Sequence, residues 1–246
     1  MILEGSIAVT AALEARSRPV HALYIRDDKR DADALRLARL ASAVGASIER
    51  VSADAIAQLA SGETHGGVVA TVGERRMLTL DALIAQATTP AFIVMLDGVE
   101  DPFNFGQAVR AFYAAGAHGL VVRPRTWMSA AAVVGRASAG ASERIPTAQA
   151  ESAEEAADAM RAAGLRVAVA DSHRATPIYA ADLRAPLFLL VGGEKRGVTR
   201  SFADKADLRL KIPYGRAYDA DLGTTAASAV LAFEILRQRS QTPIEP

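Results

Sequence analysis

The chain has 246 residues, half of them hydrophobic and 23% charged, with 28 basic and 28 acidic side chains and a formal net charge of zero. That balance gives enough apolar surface for a core and excludes a disordered polyelectrolyte, or a protein that grips polyanions through whole-chain charge. Cysteine is absent, which excludes a disulfide framework and thiolate metal sites. No run approaches 18 uncharged apolar residues. The start shows no charged-then-apolar leader. The expectation is a cytoplasmic protein without a membrane segment.

In chain order, the spacing predicts a strand over Val20–Ile25 and a helix over 31–44, with Leu35, Leu37, Ala38 and Leu40 near helical spacing. A short strand follows at Ser47–Val51. Ser52 is the N-cap of a helix to about Leu59, stopped by Ser61-Gly62, and Gly67–Val72 is a further strand. The charged stretch 73–78, with Arg75-Arg76, marks a linker, so the chain divides into 1–78 and 79–246. Beyond it the spacing predicts strands at Ala91–Leu96, Gly119–Val122, Val167–Ala170, Leu187–Val191 and Leu208–Ile212. Helices are predicted over Asn104–Ala115, Ser129–Ala139, Glu151–Ala163 and Thr224–Arg239. In the last, Ala227, Val230, Leu231 and Ile235 form one apolar face suited to a sheet. Apolar strands alternating with helices point to an α/β fold with a mostly parallel sheet and helices on both faces.

Three segments concentrate polar and glycine residues just after apolar strands, where open α/β sheets bind ligands. The first is 96–110, with Asn104 and Arg110. Six residues on a helix turn about 600°, so these two share a face only if Asn104 lies before the helix or caps it. The alternative is a simple cap and a solvated arginine. The second is Leu190-Val-Gly-Gly-Glu-Lys-Arg-Gly197, with Gly192, Gly193 and Glu194. Glycine there permits close backbone approach to a ligand. Val198 stands where a phosphate loop needs lysine, which excludes that motif. The third is 210–227, with Ile212, Gly215, Leu222, Thr224 and Thr225. No Gly-x-Gly-x-x-Gly opens an early helix, which argues against a dinucleotide enzyme. His21, His65, His118 and His173 are scattered, so no metal site is expected. Trp127 and Met128 read as packing residues.

Taken together and in order, these segments resemble the three signature motifs of the SpoU (TrmH-type) RNA 2′-O-ribose methyltransferases of the SPOUT superfamily. Asp101-Pro-Phe-Asn-Phe-Gly with Arg110 resembles the first motif, Gly192-Gly-Glu194 with Gly197 the second, and Ile212-Pro213, Gly215 and Leu222 the third. Ala137–Pro146 is similar to the family's connecting segment, and 1–78 to its small α/β substrate-binding domain. The resemblance implies a C-terminal SPOUT domain with a deep trefoil knot, a homodimer through that domain, and S-adenosyl-L-methionine as cofactor. It implies RNA, ribosomal or transfer, as partner. It implies catalytic roles for Asn104, Arg110, Glu194 and Thr225. Leu190, Gly192, Gly193, Gly197, Ile212, Gly215 and Leu222 would line the cofactor pocket. The last helix would be an interface element.

One stretch departs from the family. Where its third motif reads Ser-Leu-Asn-Val-Ser, this chain has Asp221-Leu-Gly-Thr-Thr225, so an amide is replaced by Gly223 and the leading hydroxyl by Asp221. Asp221 or Tyr218 could stand in for the lost groups. The departure keeps open a second reading, a knotted RNA-binding protein without catalysis. Arg26, Lys29, Arg30, Arg123 and Arg125 are candidate RNA contacts, although Asp27, Asp28 and Asp31 accompany the first three.

Overall fold

The computed structural model describes residues 1–124, 130–171, 174–193 and 197–240. Trp127, Met128, Arg125, His173 and Glu194, all singled out above, lie outside the described residues. Two compact units emerge: Met1–Arg76 with Trp127–Arg144, and Met77–Thr126 with Ile145–Pro246.

The first unit begins with β1 (Ile2–Glu4), α1 (Ser6–Ala15), β2 (Val20–Arg26), α2 (Ala32–Ala43), β3 (Ser47–Val51), α3 (Ala53–Leu59) and β4 (Val68–Val72). Its four strands form a mixed sheet in the order β1-β4-β2-β3, antiparallel except for β2 with β3. Side chains before the helices fix their starts. The Asp31 carboxylate accepts from Ala34 N at 2.9 Å, and the Ser52 hydroxyl accepts from Ala55 N at 3.2 Å. The sequence pattern misses β1 and α1. Helix α1 buries Ala8, Val9, Ala11, Ala12 and Leu13, and its exposed side carries the apolar Ile7, so the sequence shows little polar contrast at a helical period.

The second unit contains α4 (Leu80–Gln86), β5 (Phe92–Asp97), α5 (Pro102–Ala114), β6 (Gly119–Val122), β7 (Thr147–Gln149), α8 (Ala153–Ala162), β8 (Arg166–Ala170), β9 (Thr176–Pro177), β10 (Leu187–Gly192), α9 (Arg200–Lys205), β11 (Leu208–Lys211) and α10 (Thr224–Ser240). A 3-10 turn, Ile178–Ala180, follows β9. The seven strands run β7-β6-β5-β10-β8-β11-β9, and every pairing is parallel. Ile93, Met95, Val121, Val169, Phe188 and Leu190 bury against Leu83 of α4 and Ala156, Ala157 and Met160 of α8. Helices α5 and α10 pack on each other, and α10 also on β10. Coverage on both faces explains why the central strands read as apolar runs rather than alternations. The apolar face expected on the last helix needs correction. The buried line is Thr224, Ser228, Leu231, Ala232 and Ile235, whereas Ala227 and Val230 are half-buried, because α5 rather than the sheet is the larger partner.

Residues 130–144 come from the second half of the sequence but pack with the first unit. They form α6 (Ala131–Ala137) and α7 (Ala141–Arg144). Helix α6 lies on β1 and α1, and α7 on α1. A side chain at Gly140 would strike the Ala11 methyl, so this approach needs glycine. Two buried carboxylates fasten the segment. Glu143 accepts from Arg18 Nε at 3.0 Å and Nη2 at 2.9 Å and from the Ser17 hydroxyl, with Arg75 at 3.9 Å. Glu4, fully buried, pairs with Arg136 and accepts from Ser61 N and Oγ, both at 2.6 Å. Burial pushes the Arg75 guanidinium down to about 10, while Glu143 pulls it back up. Removing one partner of a buried pair leaves a stranded charge. Glu143→Ala is therefore expected to lower the urea-unfolding free energy by about 3–5 kcal/mol. A loss under about 0.5 kcal/mol, the level of an ordinary surface change, would contradict this account.

Candidate active site

The three motif segments meet in the second unit, at the carboxyl ends of β5 and β10. Asp97 and Gly192 are register partners there, and each strand continues into a turn. After β5, Gly98 takes φ +74°, a left-handed conformation that favours glycine, and Asp101 caps α5 by accepting from Phe103 N at 2.9 Å. Pro102 occupies the first helical turn, where its missing N–H is not needed. The cap is thus Asp101, and Asn104 lies inside the helix rather than before it. By helical geometry Asn104 and Arg110 then point in different directions. Asn104 is half-buried and Arg110 is exposed.

After β10, Gly193 N donates to Asp97 O at 2.8 Å, and Gly197 N donates back to Gly193 O at 2.9 Å. A Cβ on Gly193 would overlap the backbone of Gly98 and Val99, and one on Gly192 would overlap Gly197 and Val198. The expectation that these glycines make room for a ligand is corrected in part, since they make room for neighbouring backbone. Gly197 has φ +56° and open space around it. Leu190 is fully buried in the core, so any contribution it makes to a pocket runs through its backbone.

The third segment supplies the open side. Ile212 is half-buried, and Leu222 is 38% exposed. Leu222 N donates to the Tyr214 hydroxyl at 2.9 Å, closing the loop from Tyr214 to Leu222. Tyr218 leans on Tyr214 with ring centroids 6.1 Å apart. Among the described residues, a Cβ at Gly215 or Gly223 would meet nothing within 4 Å. The threonine pair at the start of α10 joins all three segments. The Thr224 hydroxyl donates to Gly192 O at 3.4 Å and the Thr225 hydroxyl to Asn104 O at 3.3 Å.

One pair at this edge was given no joint role by the sequence. Arg123, just beyond β6, grips the Asp97 carboxylate with Nε and Nη2, both at 2.7 Å. Asp97 falls within the first motif segment, and its position at a strand's carboxyl end was the available signal. Arg26 and Lys29 in the first unit instead pair with Asp28 and Asp31. Among the described residues, no group of three or more His, Asp or Glu side chains is placed to hold a metal.

These contacts yield a paired expectation. Gly193→Ala forces the backbones of β5 and β10 apart and should cost about 2 kcal/mol or more. Gly223→Ala, facing open space, should stay within about 0.5 kcal/mol of the parent. Thermal unfolding of the two variants checks the contrast, and equal losses would contradict it.

A family model described as SpoU rRNA Methylase family matches residues 91–231, and one described as RNA 2′-O ribose methyltransferase substrate binding matches residues 2–78. The chain is 30% identical over 241 residues to the 23S rRNA (guanosine-2′-O-)-methyltransferase RlmB of Shewanella oneidensis, covering 97% of both chains. It is similar to the AdoMet-bound rRNA methyltransferase of Sinorhizobium meliloti, with a TM-score of 0.81, 26% identity, and coverage of 96% of this chain and 86% of that one. The SpoU methyltransferase AviRb of Streptomyces viridochromogenes in complex with AdoMet aligns at a TM-score of 0.82 and 25% identity, over 98% of this chain and 91% of the other.

Proposed function

The chain belongs to the SpoU rRNA methylase family, and from that premise we propose how its own residues carry out the reaction and on which RNA. It is an S-adenosylmethionine-dependent RNA methyltransferase acting on a ribose 2′-hydroxyl. The observation that carries this reading is the meeting of the three motif segments at one sheet edge, tied by Thr224 and Thr225. In our reading the substrate is a guanosine of 23S rRNA, the activity named for relatives such as that of Shewanella oneidensis, which matches over nearly the whole chain. The working compartment is then the cytoplasm. No helix among the described residues is long and apolar enough to cross a membrane.

The residues present fit the cofactor. The space beside Gly215 and Gly223 is open, and Ile212 and Leu222 offer apolar side chains next to backbone polar groups, the mix that suits an adenine ring. When bound, S-adenosylmethionine supplies an electrophilic methyl group on a sulfonium. Gly192, Gly193 and Gly197 would hold it through a backbone fixed by the contacts with Gly98. Support for the deep trefoil threading is the insertion of β10 between β5 and β8, with α10 against α5.

The ribose hydroxyl must give up its proton, which passes to solvent water, as it attacks the methyl group. Arginine stays protonated in proteins and is a poor base. Arg110 therefore orients a phosphate and stabilises the developing alkoxide through its planar fork. Asn104 and Glu194 position the ribose and Arg110. The Thr225 hydroxyl holds the Asn104 carbonyl at the start of α5. Arg110 and Asn104 diverge around α5, so the site is completed at a homodimer interface. The exposed Phe103, Tyr113 and Phe233 on α5 and α10 supply apolar surface for that interface. Residues 1–78 bring the RNA.

The test is methyl transfer from labelled cofactor to unmodified 23S rRNA, with the product mapped as 2′-O-methylguanosine. Arg110→Lys should lower kcat about 100-fold, the scale for loss of a transition-state donor. It should leave cofactor affinity intact. Full activity in that variant would remove Arg110 from its role, and the absence of transfer to any RNA by the parent would overturn the reading.

A further inference from the structure

An enzyme acting on RNA must hold a polyanion, yet this chain has no net charge, so its positive potential has to be local. Several basic side chains of the first unit are already compensated. Arg26 pairs with Asp28, Lys29 with Asp31, and Arg36 and Arg144 share Glu14. In the second unit, a cavity of about 320 Å³ lies between the 3-10 turn, the loop that follows it and the last turns of α10. Its lining includes Tyr179, Asp182, Arg184, Arg237 and Gln238. One more arginine is bonded to its rim, Arg166 Nη1 to Asp182 O at 3.4 Å. Arg184 and Arg237 each pair with a carboxylate, Asp182 and Glu234 respectively, and Arg166 leaves one positive charge in excess. Hydrogen bonds from the Arg184 side chain and then its backbone N–H, with smaller charge effects of Arg184 and Arg166, hold the Asp182 carboxyl down at about 2.

The walls are already ordered. Glu234 accepts from Arg237 Nε and Nη2, both at 2.8 Å, which fixes that guanidinium. The Gln238 amide donates to Ala181 O and Glu234 and accepts from Leu183 N. Arg239 donates to the carbonyls of Pro90, Ala91, Leu183 and Ala185, pinning the end of α10 to the chain just ahead of β5 and β10. Tyr179 presents its ring to solvent at 59% exposure. The cavity is thus walled by the turn after β9 on one side and by the end of α10 on the other.

We propose that this cavity is a second RNA-binding site, which takes one nucleotide of a single-stranded segment of the substrate by stacking its base on Tyr179 and holding its phosphate on Arg184 and Arg237. An exposed aromatic ring beside oriented guanidiniums is the combination that binds single-stranded nucleic acid. Gln238, the neutral side chain best suited to read a base edge, is occupied by internal bonds, so the site tolerates any base. The proposal rests on the RNA methyltransferase reading above.

The test uses the full chain and a fluorescein-labelled 12-nucleotide oligouridylate, followed by anisotropy across a salt series. Tyr179→Ala should weaken binding about tenfold, the scale of one lost stacking contact, while Tyr179→Phe binds like the parent. Arg184→Gln should flatten the salt dependence by about one phosphate contact. In methyl transfer to 23S rRNA, Tyr179→Ala should raise KM with kcat and cofactor affinity unchanged, a split that a folding defect would not give. Parent-like oligonucleotide binding by both Tyr179→Ala and Arg184→Gln would overturn the proposal. So would equal displacement of the oligonucleotide by polyglutamate from the parent and from Tyr179→Ala, which would mark a general anion or protein surface. Should no RNA be methylated at all, the oligonucleotide series still decides the second site by itself.

Discussion

At the carboxyl edge of the parallel sheet, the backbone after β10 lies against the backbone after β5 with no room for a Cβ between Gly193 and Gly98. A hydrogen bond from Gly193 N to Asp97 O closes the contact. The rest of the site depends on this approach. It sets where the loop from Gly192 to Gly197 turns, and so which carbonyl Thr224 meets. It also sets where α10 starts relative to α5. The cost is borne by the strands, whose fully buried residues, among them Met95 and Leu190, hold the two chain segments in register. A ligand held by backbone groups needs such a frame, because backbone donors cannot change rotamer to meet it.

The departure from the family's third motif looks different once the contacts are known. The missing amide at Gly223 leaves open space rather than a collapsed loop, and none of the described residues fills it. The hydroxyl at Thr224, where the family carries valine, is buried and reaches the Gly192 carbonyl, while Thr225 reaches Asn104. The stitching between segments is therefore carried by two adjacent threonines. Asp221 and Tyr218, the candidates for replacing the lost groups, both lie on the exposed loop, and Tyr218 is engaged with Tyr214.

Much of the fold was legible because its signals are local. Ser52 caps its helix where the sequence placed it, and the apolar runs of β5 and β10 are the covered strands the sequence pattern predicts. What escaped has a physical cause. Helix α1 packs on β4, α2 and α7 but exposes the apolar Ile7, and so shows little amphipathic contrast. Strands β7 and β9 are two or three residues long, too short for any period to register. The packing of 130–144 with the first unit depends on Glu143 meeting Arg18 across 125 residues, and no local pattern encodes that. For the site, the motif segments and their order were readable, whereas the position of Asn104 inside α5 was not. That position turns on whether Asp101 or Asn104 takes the cap, and either residue type suits it.

The central claim is that the glycine-framed edge of β5 and β10 holds S-adenosylmethionine. Titration calorimetry of the full chain with S-adenosylmethionine, and with its demethylated product, tests that claim without knowledge of the RNA. The account predicts saturable binding of both at one site per chain, with the Tyr179→Ala protein indistinguishable from the parent. An absence of heat and of any thermal stabilisation with either ligand, in a protein that is folded by circular dichroism, would contradict it.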